Sequence, residues 1–169
     1  SQNTPNTIND LVLWLDASDT STLFTDVAGT TAVSSDGDLV RRWTDKSGAN
    51  NHATVFSGHS PATFRSAASN LINGNEVLSF SRTSSFNGDV YVTPLDIRAT
   101  TNEEVTLFSV YKLTTLTENE SYSLWGADNG GWDRFYSSFY DSAVGQFGAD
   151  GDDAPVSYTH LTLPTTSPV

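Results

Sequence analysis

Apolar and polar residues alternate in short runs along this chain, and turn-forming residues separate the runs. The clearest alternation lies at 104–113, where Val105, Leu107 and Tyr111 fall on one face of an extended backbone. This period of two predicts β-strands, because successive side chains of a strand point to opposite faces. No long segment has the periodicity of an amphipathic helix. The pattern therefore predicts an all-β fold, an antiparallel β-sandwich.

Other short strands are predicted where β-branched and aromatic residues cluster between turn signals. They are 11–15, 39–43, 53–56, 61–65, 77–80, 90–92, 122–125, 134–140 and 143–148. The last two should form a hairpin around Asp141 and Ser142. We predict turns at Asn73-Gly74 and Asn87-Gly88, because Asn and Gly accept positive φ.

One stretch, 43–53, joins an apolar anchor to a run of turn formers and returns to strand-like sequence. It reads Trp-x-Asp-Lys-Ser-Gly-x-Asn-Asn-x-Ala. Together with 11–19 and the Ile-Asn-Gly segment in 71–80, it resembles the markers of laminin-G-like, concanavalin A-like domains of secreted bacterial proteins. The resemblance covers residues 10 to 150 and implies a jelly roll. Trp14 and Trp43 are expected in its core. Residues 1–9 are mainly polar, and we expect them to be a linker.

The last residues, 156–169, contain no Asp, Glu, Lys or Arg, although the chain before them is acidic. This string resembles the translated sequencing-adapter tails at the ends of reading frames from metagenomic assemblies, so we expect it to be non-native. The jelly-roll domain, 10–155, would then be incomplete and lack its last strands. The alternative is a Thr/Pro-rich linker to a following domain.

The charge balance excludes several partners. The net charge is -12, from 8 basic and 20 acidic residues. Nucleic acids and anionic membrane surfaces are excluded, because binding phosphate groups needs clustered Lys and Arg. The chain has no Cys, which excludes disulfides, thiolate zinc sites and thiol nucleophiles. No apolar run is long enough to span a bilayer, so we expect no membrane insertion.

The resemblance requires a check for catalysis, since enzymes share this fold. Related glucanases carry a Glu-x-Asp-x-Glu strand, whose alternation puts two carboxylates on one face. Here Glu103 and Glu104 are adjacent, and Glu118 and Glu120 have no Asp between them. Related lyases use Gln-x-His, but Gln146 is followed by Phe and Gly. We predict no catalytic residue.

The histidines do not change that prediction. His52 and His59 lie in turn-like sequence, His160 lies in the tail, and none is near a Gly-x-Ser-x-Gly nucleophile motif. A serine hydrolase would need a His base oriented by a third group. The prediction is therefore not an enzyme, with a catalytic strand in the missing part as the alternative.

The strongest binding candidate is the segment 125–136, which carries two tryptophans around an Asp-Asn-Gly-Gly loop. Aromatic faces bind the apolar faces of pyranose rings, and polar side chains then bind the hydroxyls. The predicted ligand-binding residues are Asp128, Asn129, Trp132 and Arg134. The competing structural interpretation is a hairpin turn with Trp125 in the core.

Calcium is the candidate cofactor, since laminin-G-like domains often bind it through loop carboxylates at a sandwich rim. Three acidic loops are available: Asp16/Asp19, Asp128/Asp133 and Asp150/Asp152/Asp153. None matches an EF-hand loop. The predicted metal ligands are Asp128, Asp150 and Asp152, and no other cofactor is expected.

The sequence as a whole predicts a non-catalytic, extracellular or cell-surface recognition module. It would bind a glycan or a protein surface as one module of a larger multidomain chain. One alternative is a structural or adhesion spacer without a specific ligand. The other is a fragment of a polysaccharide-degrading enzyme. Because one fold serves many functions, the choice depends on the site.

Overall fold

The computed structural model of the chain describes residues 4–84, 87–96, 106–112, 114, 121–128, 134–140 and 145–150. The chain divides into two compact units, Ser1–Leu107 and Phe108–Val169. In each unit the described residues form short antiparallel strands, with almost no helix. The structure thus has the all-β character that the alternation predicts. No helix in these ranges is long and apolar enough to cross a membrane.

The described part of the first unit contains eight short strands. They are β1 (Leu23–Phe24), β2 (Arg42–Trp43), β3 (Ala53–Val55), β4 (Thr63–Arg65), β5 (Val77–Ser79), β6 (Arg82–Ser84), β7 (Asn87–Gly88) and β8 (Tyr91–Val92). β1, β2, β3 and β8 form a four-stranded sheet in that order, while β4–β5 and β6–β7 form two-stranded sheets. Short 3-10 turns lie at Pro5–Thr7 and Thr20–Thr22.

The core of the first unit lies against one face of the four-stranded sheet. Leu23, Trp43 and Ala53 are direct partners across β1, β2 and β3. Leu23 and Ala53 are buried, and Trp43 packs against the core as predicted, so this row marks the inner face. The cluster is completed by Val33, Val40, Phe64 and the partly buried Leu78.

The second unit contains a three-stranded antiparallel sheet. Its strands are β9 (Ser121–Asp128), β10 (Arg134–Tyr140) and β11 (Gly145–Asp150), with β10 in the middle. β10 and β11 confirm the predicted hairpin. A register shift interrupts the pairing of β10 with β9 between Tyr136 and Ser138.

The turn predicted at Asn73-Gly74 is confirmed. Both residues have positive φ, 52° and 81°. Ile72 and Asn75 on either side exchange two backbone hydrogen bonds of 3.0 and 3.1 Å. Positive φ at both central residues is the type I′ geometry that Asn-Gly favours, because it matches the twist of the flanking backbone.

Two strand predictions are wrong. The segment 11–15 belongs to no strand, and the backbone N–H of Trp14 donates to the carboxylate of Asp45 at 2.8 Å. Residues 106–112 also form no strand, and Phe108 is 85% exposed. Alternation reports only that a segment suits a sheet, since a strand also needs a neighbouring strand to accept its hydrogen bonds.

The turn predicted at Asn87-Gly88 is also wrong. These residues form β7, which pairs with β6 through Arg82 and Ser84. An Asn-Gly pair favours a turn locally, but strand pairing overrides that preference here.

Tyr91 on β8 joins three parts of the first unit. Its hydroxyl accepts the backbone N–H of Ala62 at 3.0 Å and donates to the backbone carbonyl of Val40. Burial raises the pKa of Tyr91 to about 12, so the hydroxyl keeps the proton that it donates.

Replacing Tyr91 by Phe should lower the free energy of unfolding by about 2 kcal/mol, because a buried N–H and a buried carbonyl lose their shared partner. Urea denaturation measures this loss. The control is Val92→Ala on the same strand, an exposed side chain whose truncation should cost no more than about 0.5 kcal/mol. Equal stability of Tyr91→Phe and the parent chain would contradict the bridging role.

Candidate functional site

The 43–53 loop, which carries the motif, is built around the buried carboxylate of Asp45. Its Oδ1 accepts the backbone N–H groups of Trp14 at 2.8 Å and Ser47 at 2.9 Å. Its Oδ2 accepts the Ser47 hydroxyl at 2.8 Å and the backbone N–H of Asn51 at 2.9 Å. Burial opposes ionisation, but these hydrogen bonds outweigh it and lower the pKa of Asp45. Asp45 is therefore a structural anion.

The residue types of the loop explain its shape. Asp45 and Ser47 close a local turn, in which a side-chain oxygen accepts the backbone N–H two residues on. Gly48 and Asn50 have φ of 91° and 63°, a region open to Gly and tolerated by Asn. The loop can thus curl around one carboxylate without a strained residue.

This loop also holds the N-terminal segment in place. The backbone N–H of Lys46 donates to the carbonyl of Trp14, and the side-chain amide of Asn51 donates to the carbonyl of Val12, both at 2.8 Å. The Lys46 ammonium lies 4.3 Å from the centre of the Trp14 ring, a cation–π contact. We call these contacts, together with those of Asp45, the Asp45 clip. Trp14 is half-buried within it.

Asp16 and Asp19, one of the acidic pairs suggested for calcium, bind Lys46 instead. Its ammonium lies 2.9 Å from Asp16 Oδ2 and 2.7 Å from Asp19 Oδ2. Burial opposes ionisation of Asp16, but hydrogen bonds led by that from Lys46 lower its pKa. The Lys46 hydrogen bond is the main cause of the lowered pKa of Asp19. A calcium ion here would have to displace a lysine that is already paired.

Three more aspartates bind backbone N–H groups in loops. The donors are Thr30 and Thr31 for Asp26, Ser34 and Ser35 for Asp38, and Ser66 and Ala67 for Asp36. At Asp26 burial opposes ionisation and the hydrogen bonds prevail, while at Asp36 and Asp38 the backbone bonds dominate. The pKa of each is lowered. These carboxylates fix loop backbones.

Two histidines lie outside the strands and bond to backbone groups. His52 Nδ1 accepts the backbone N–H of Asp45 at 3.1 Å, so this nitrogen carries no proton. His59 Nδ1 lies 3.3 Å from the backbone carbonyl of Gly88 and donates to it as the N–H tautomer. Neither contact joins the ring to a hydroxyl nucleophile. His160 lies outside the described residues.

The register of the second unit brings three predicted site residues together. Arg134 on β10 is the direct partner of Asp128 on β9 and of Asp150 on β11. We call these three positions the Asp–Arg–Asp row. The row lies at one end of the sheet, where the 129–133 connection leaves β9 and enters β10. The sequence did not predict this row, although a hairpin folded about position 131 would pair residue 128 with residue 134.

Other predicted residues stay untested. Asn129, Trp132, Asp152 and the tail at 156–169 lie outside the described residues. Within the described ranges no group of three or more His, Asp or Glu side chains could hold a metal ion. The calcium ligands proposed from sequence therefore stay a prediction.

Comparisons with protein-family models, curated proteins and solved structures found no match for this chain. The likeness of the three sequence segments to laminin-G-like domains therefore stays a prediction too.

Replacing Asp45 by Asn should lower the free energy of unfolding by about 3 kcal/mol. The amide loses the charge that strengthens four hydrogen bonds, and it turns an NH₂ group towards N–H and hydroxyl donors. Chemical denaturation measures the change. The matched control is Asp10→Asn, which removes the same charge at an exposed position with φ of 59°, a conformation that Asn tolerates. A loss no larger than that of Asp10→Asn would contradict the role given to the Asp45 clip.

The lowered aspartate pKa values predict acid sensitivity. The groups are Asp16, Asp19, Asp26, Asp36, Asp38 and Asp45. Because each pKa is lower in the folded state, the unfolded chain binds more protons in acid. The stabilisation is therefore full above about pH 5 and is lost as pH falls through the folded-state values.

Unfolding midpoints measured between about pH 7 and pH 2 should fall steadily below about pH 5. Asp45→Asn should flatten this slope, because one contributing carboxylate is gone. A midpoint that is independent of pH over this range would contradict the role of the carboxylates.

Proposed function

We propose that this chain is a non-catalytic glycan-recognition module of the laminin-G-like jelly-roll type, acting in a larger extracellular or cell-surface protein. The observation that carries the proposal is the Asp–Arg–Asp row at the end of the β9–β10–β11 sheet. The row supports a polar ligand site, because residues of complementary hydrogen-bonding type occupy adjacent positions.

The spacing of the row suits a sugar ring. Adjacent strands lie about 4.8 Å apart, so the Asp128 and Asp150 positions are about 10 Å apart with Arg134 midway. Such an array combines the donors of a guanidinium with the acceptors of two carboxylates. Sugar hydroxyls both donate and accept hydrogen bonds, so they can use both kinds of group.

The sequence between β9 and β10 contains an aromatic residue of the kind that a sugar site needs. Trp132 is two residues before Arg134, in the connection 129–133 that begins after Asp128. Loops placed by a rigid sheet often carry binding residues. An indole offers a broad apolar face for the C–H side of a pyranose, together with one polar N–H.

The same row favours hydroxyl binding over calcium binding. An arginine position stands between the two aspartate positions, so the row carries a positive charge as well as two negative ones. A guanidinium pairs with carboxylates in a fixed, planar geometry, so it competes with a metal ion for the same oxygens. We therefore propose that glycan binding does not require calcium.

The structural use of titratable groups supports a non-catalytic module. In the described part of the first unit, Asp45 binds backbone and hydroxyl donors, and His52 accepts a backbone N–H. A general base must be able to reach a proton of the substrate. These two groups are already committed to the loop that holds them.

A glycan array probed with the full chain, with and without EDTA, tests the proposal. We expect binding in both conditions and a loss of about tenfold or more in Arg134→Ala, because charge-assisted hydrogen bonds are lost. Trp132→Ala should weaken binding as well. The matched control is Arg41→Ala, which removes the same charge from an exposed arginine of the first unit and should leave affinity unchanged.

Three results would count against the proposal. Arg134→Ala with parental affinity would show that the row is not the site. Binding lost in EDTA would show that calcium is required. A chain that binds no glycan would favour a structural or adhesion spacer.

A further inference from the structure

A second aromatic feature lies in the first unit, in the tight turn formed by residues 56–59. The backbone N–H of His59 donates to the carbonyl of Phe56 at 3.0 Å, and Gly58 has a φ of 81°. Positive φ at the third residue is typical of a type II turn and explains the glycine. The turn brings the Phe56 and His59 rings together, with centroids 5.2 Å apart and planes inclined by 31°. We call this pair the 56/59 ring pair.

The ring pair is held from both sides. The backbone N–H of Phe56 donates to the carbonyl of Val90 at 2.8 Å. His59 Nδ1 lies 3.3 Å from the carbonyl of Gly88. The second polar atom of the imidazole is Nε2. The backbone of Phe56 and the ring of His59 are therefore held in place before any ligand arrives, which lowers the entropic cost of binding.

Phe56 lies on the face of the sheet opposite to the core. Its strand neighbour Val55 is the partner of the inner-facing Tyr91, so Phe56, one residue further on, points outward with Thr54 and Val92. The Phe56 side chain is 45% exposed and Val92 is 43% exposed. Single exposed apolar residues are common. What distinguishes this position is a close pair of rings in a turn whose own residues are uncharged. The charged residue next to the turn is Asp89, the bridge partner of Ser60, and its carboxylate accepts the backbone N–H of Ser81.

The residue types in the turn favour a ligand that is uncharged and carries hydroxyl groups. Residues 56–60 include Ser57, Gly58 and Ser60 but no Asp, Glu, Lys or Arg. Both serines are exposed, so their hydroxyls can bond to a ligand lying on the rings. Without a cation in the turn, and with a net charge of -12 on the chain, an anionic ligand would be repelled.

We infer that the 56/59 ring pair is a separate contact site for an uncharged pyranose ring. The apolar C–H face of the sugar packs on Phe56, while its hydroxyls bond to His59 Nε2 and the serine hydroxyls. This inference rests on the proposed glycan-binding function, but it concerns a different surface from the Asp–Arg–Asp row. It also narrows the ligand to neutral glycans, since the 56–60 turn itself offers no cation to uronic acids or sulfated sugars, and Asp89, the partner of Ser60, adds a negative charge beside it.

The test compares affinities of the full chain for neutral and acidic polysaccharides that it binds on the array. Phe56→Leu keeps an apolar side chain but removes the aromatic face, and should weaken binding to a neutral glycan by about tenfold. Phe56→Tyr keeps the ring and should bind like the parent. Phe80→Leu is the matched control, because Phe80 is 53% exposed but its ring meets Tyr91 edge-on, 5.7 Å away. Unfolding midpoints of all three variants check that each is folded.

The outcomes separate this inference from the proposed function. If Trp132→Ala keeps some affinity for the glycan, and adding Phe56→Leu to that variant removes it, a separate site is supported. Parental affinity in Phe56→Leu, with loss in Arg134→Ala, would overturn the inference and leave the proposed function standing. Loss of glycan binding in Phe56→Leu, with parental affinity in Arg134→Ala, would support the inference and show that the Asp–Arg–Asp row is not a glycan site. Preference for acidic over neutral glycans, or no glycan binding at all, would overturn the inference.

Discussion

The first unit depends on the buried carboxylate of Asp45. A charge taken out of water is stable only when hydrogen bonds replace its hydration. Here a backbone N–H from the N-terminal segment and three donors from the motif loop do so. The apolar core is small, with Leu23 and Val40 as its largest fully buried side chains. Polar contacts such as those of Asp45 and Asn51 therefore also hold distant parts of the chain together.

The two units use acidic residues differently. In the first unit, aspartates neutralise Lys46 or fix loop backbones, so much of the acidity belongs to the architecture. In the second unit, two aspartate positions flank an arginine position at the end of a sheet. Loop-fixing carboxylates explain a fold, whereas a mixed row at a sheet end suits recognition. This contrast is why the proposed function rests on the row in the second unit.

The sequence predicts local structure well where one short-range rule dominates. Asn73-Gly74 forms its turn because both residues accept positive φ. β10 pairs with β11 as the alternation in both segments predicts. The prediction of strands is wrong at 106–112 and 11–15. Whether a segment becomes a strand depends on a neighbouring strand that can be distant in sequence, and alternation cannot identify that neighbour. The sequence does not predict that Asp45 binds the N-terminal segment, because its partner Trp14 is 31 residues away. The row around Arg134 needed the register of three strands, which is a property of the fold.

The Asp45 clip closes a long loop in a chain that has no cysteine. Many small extracellular domains close such loops with a disulfide, which ties their folding to an oxidising compartment. A carboxylate that binds backbone N–H groups reduces the freedom of the folded chain without a covalent bond, and no oxidant is needed to form it. The domain should therefore fold equally well under reducing and oxidising conditions. The contact made by Asp45 is reversible. It is lost when the carboxylate is protonated, whereas a disulfide is lost when it is reduced.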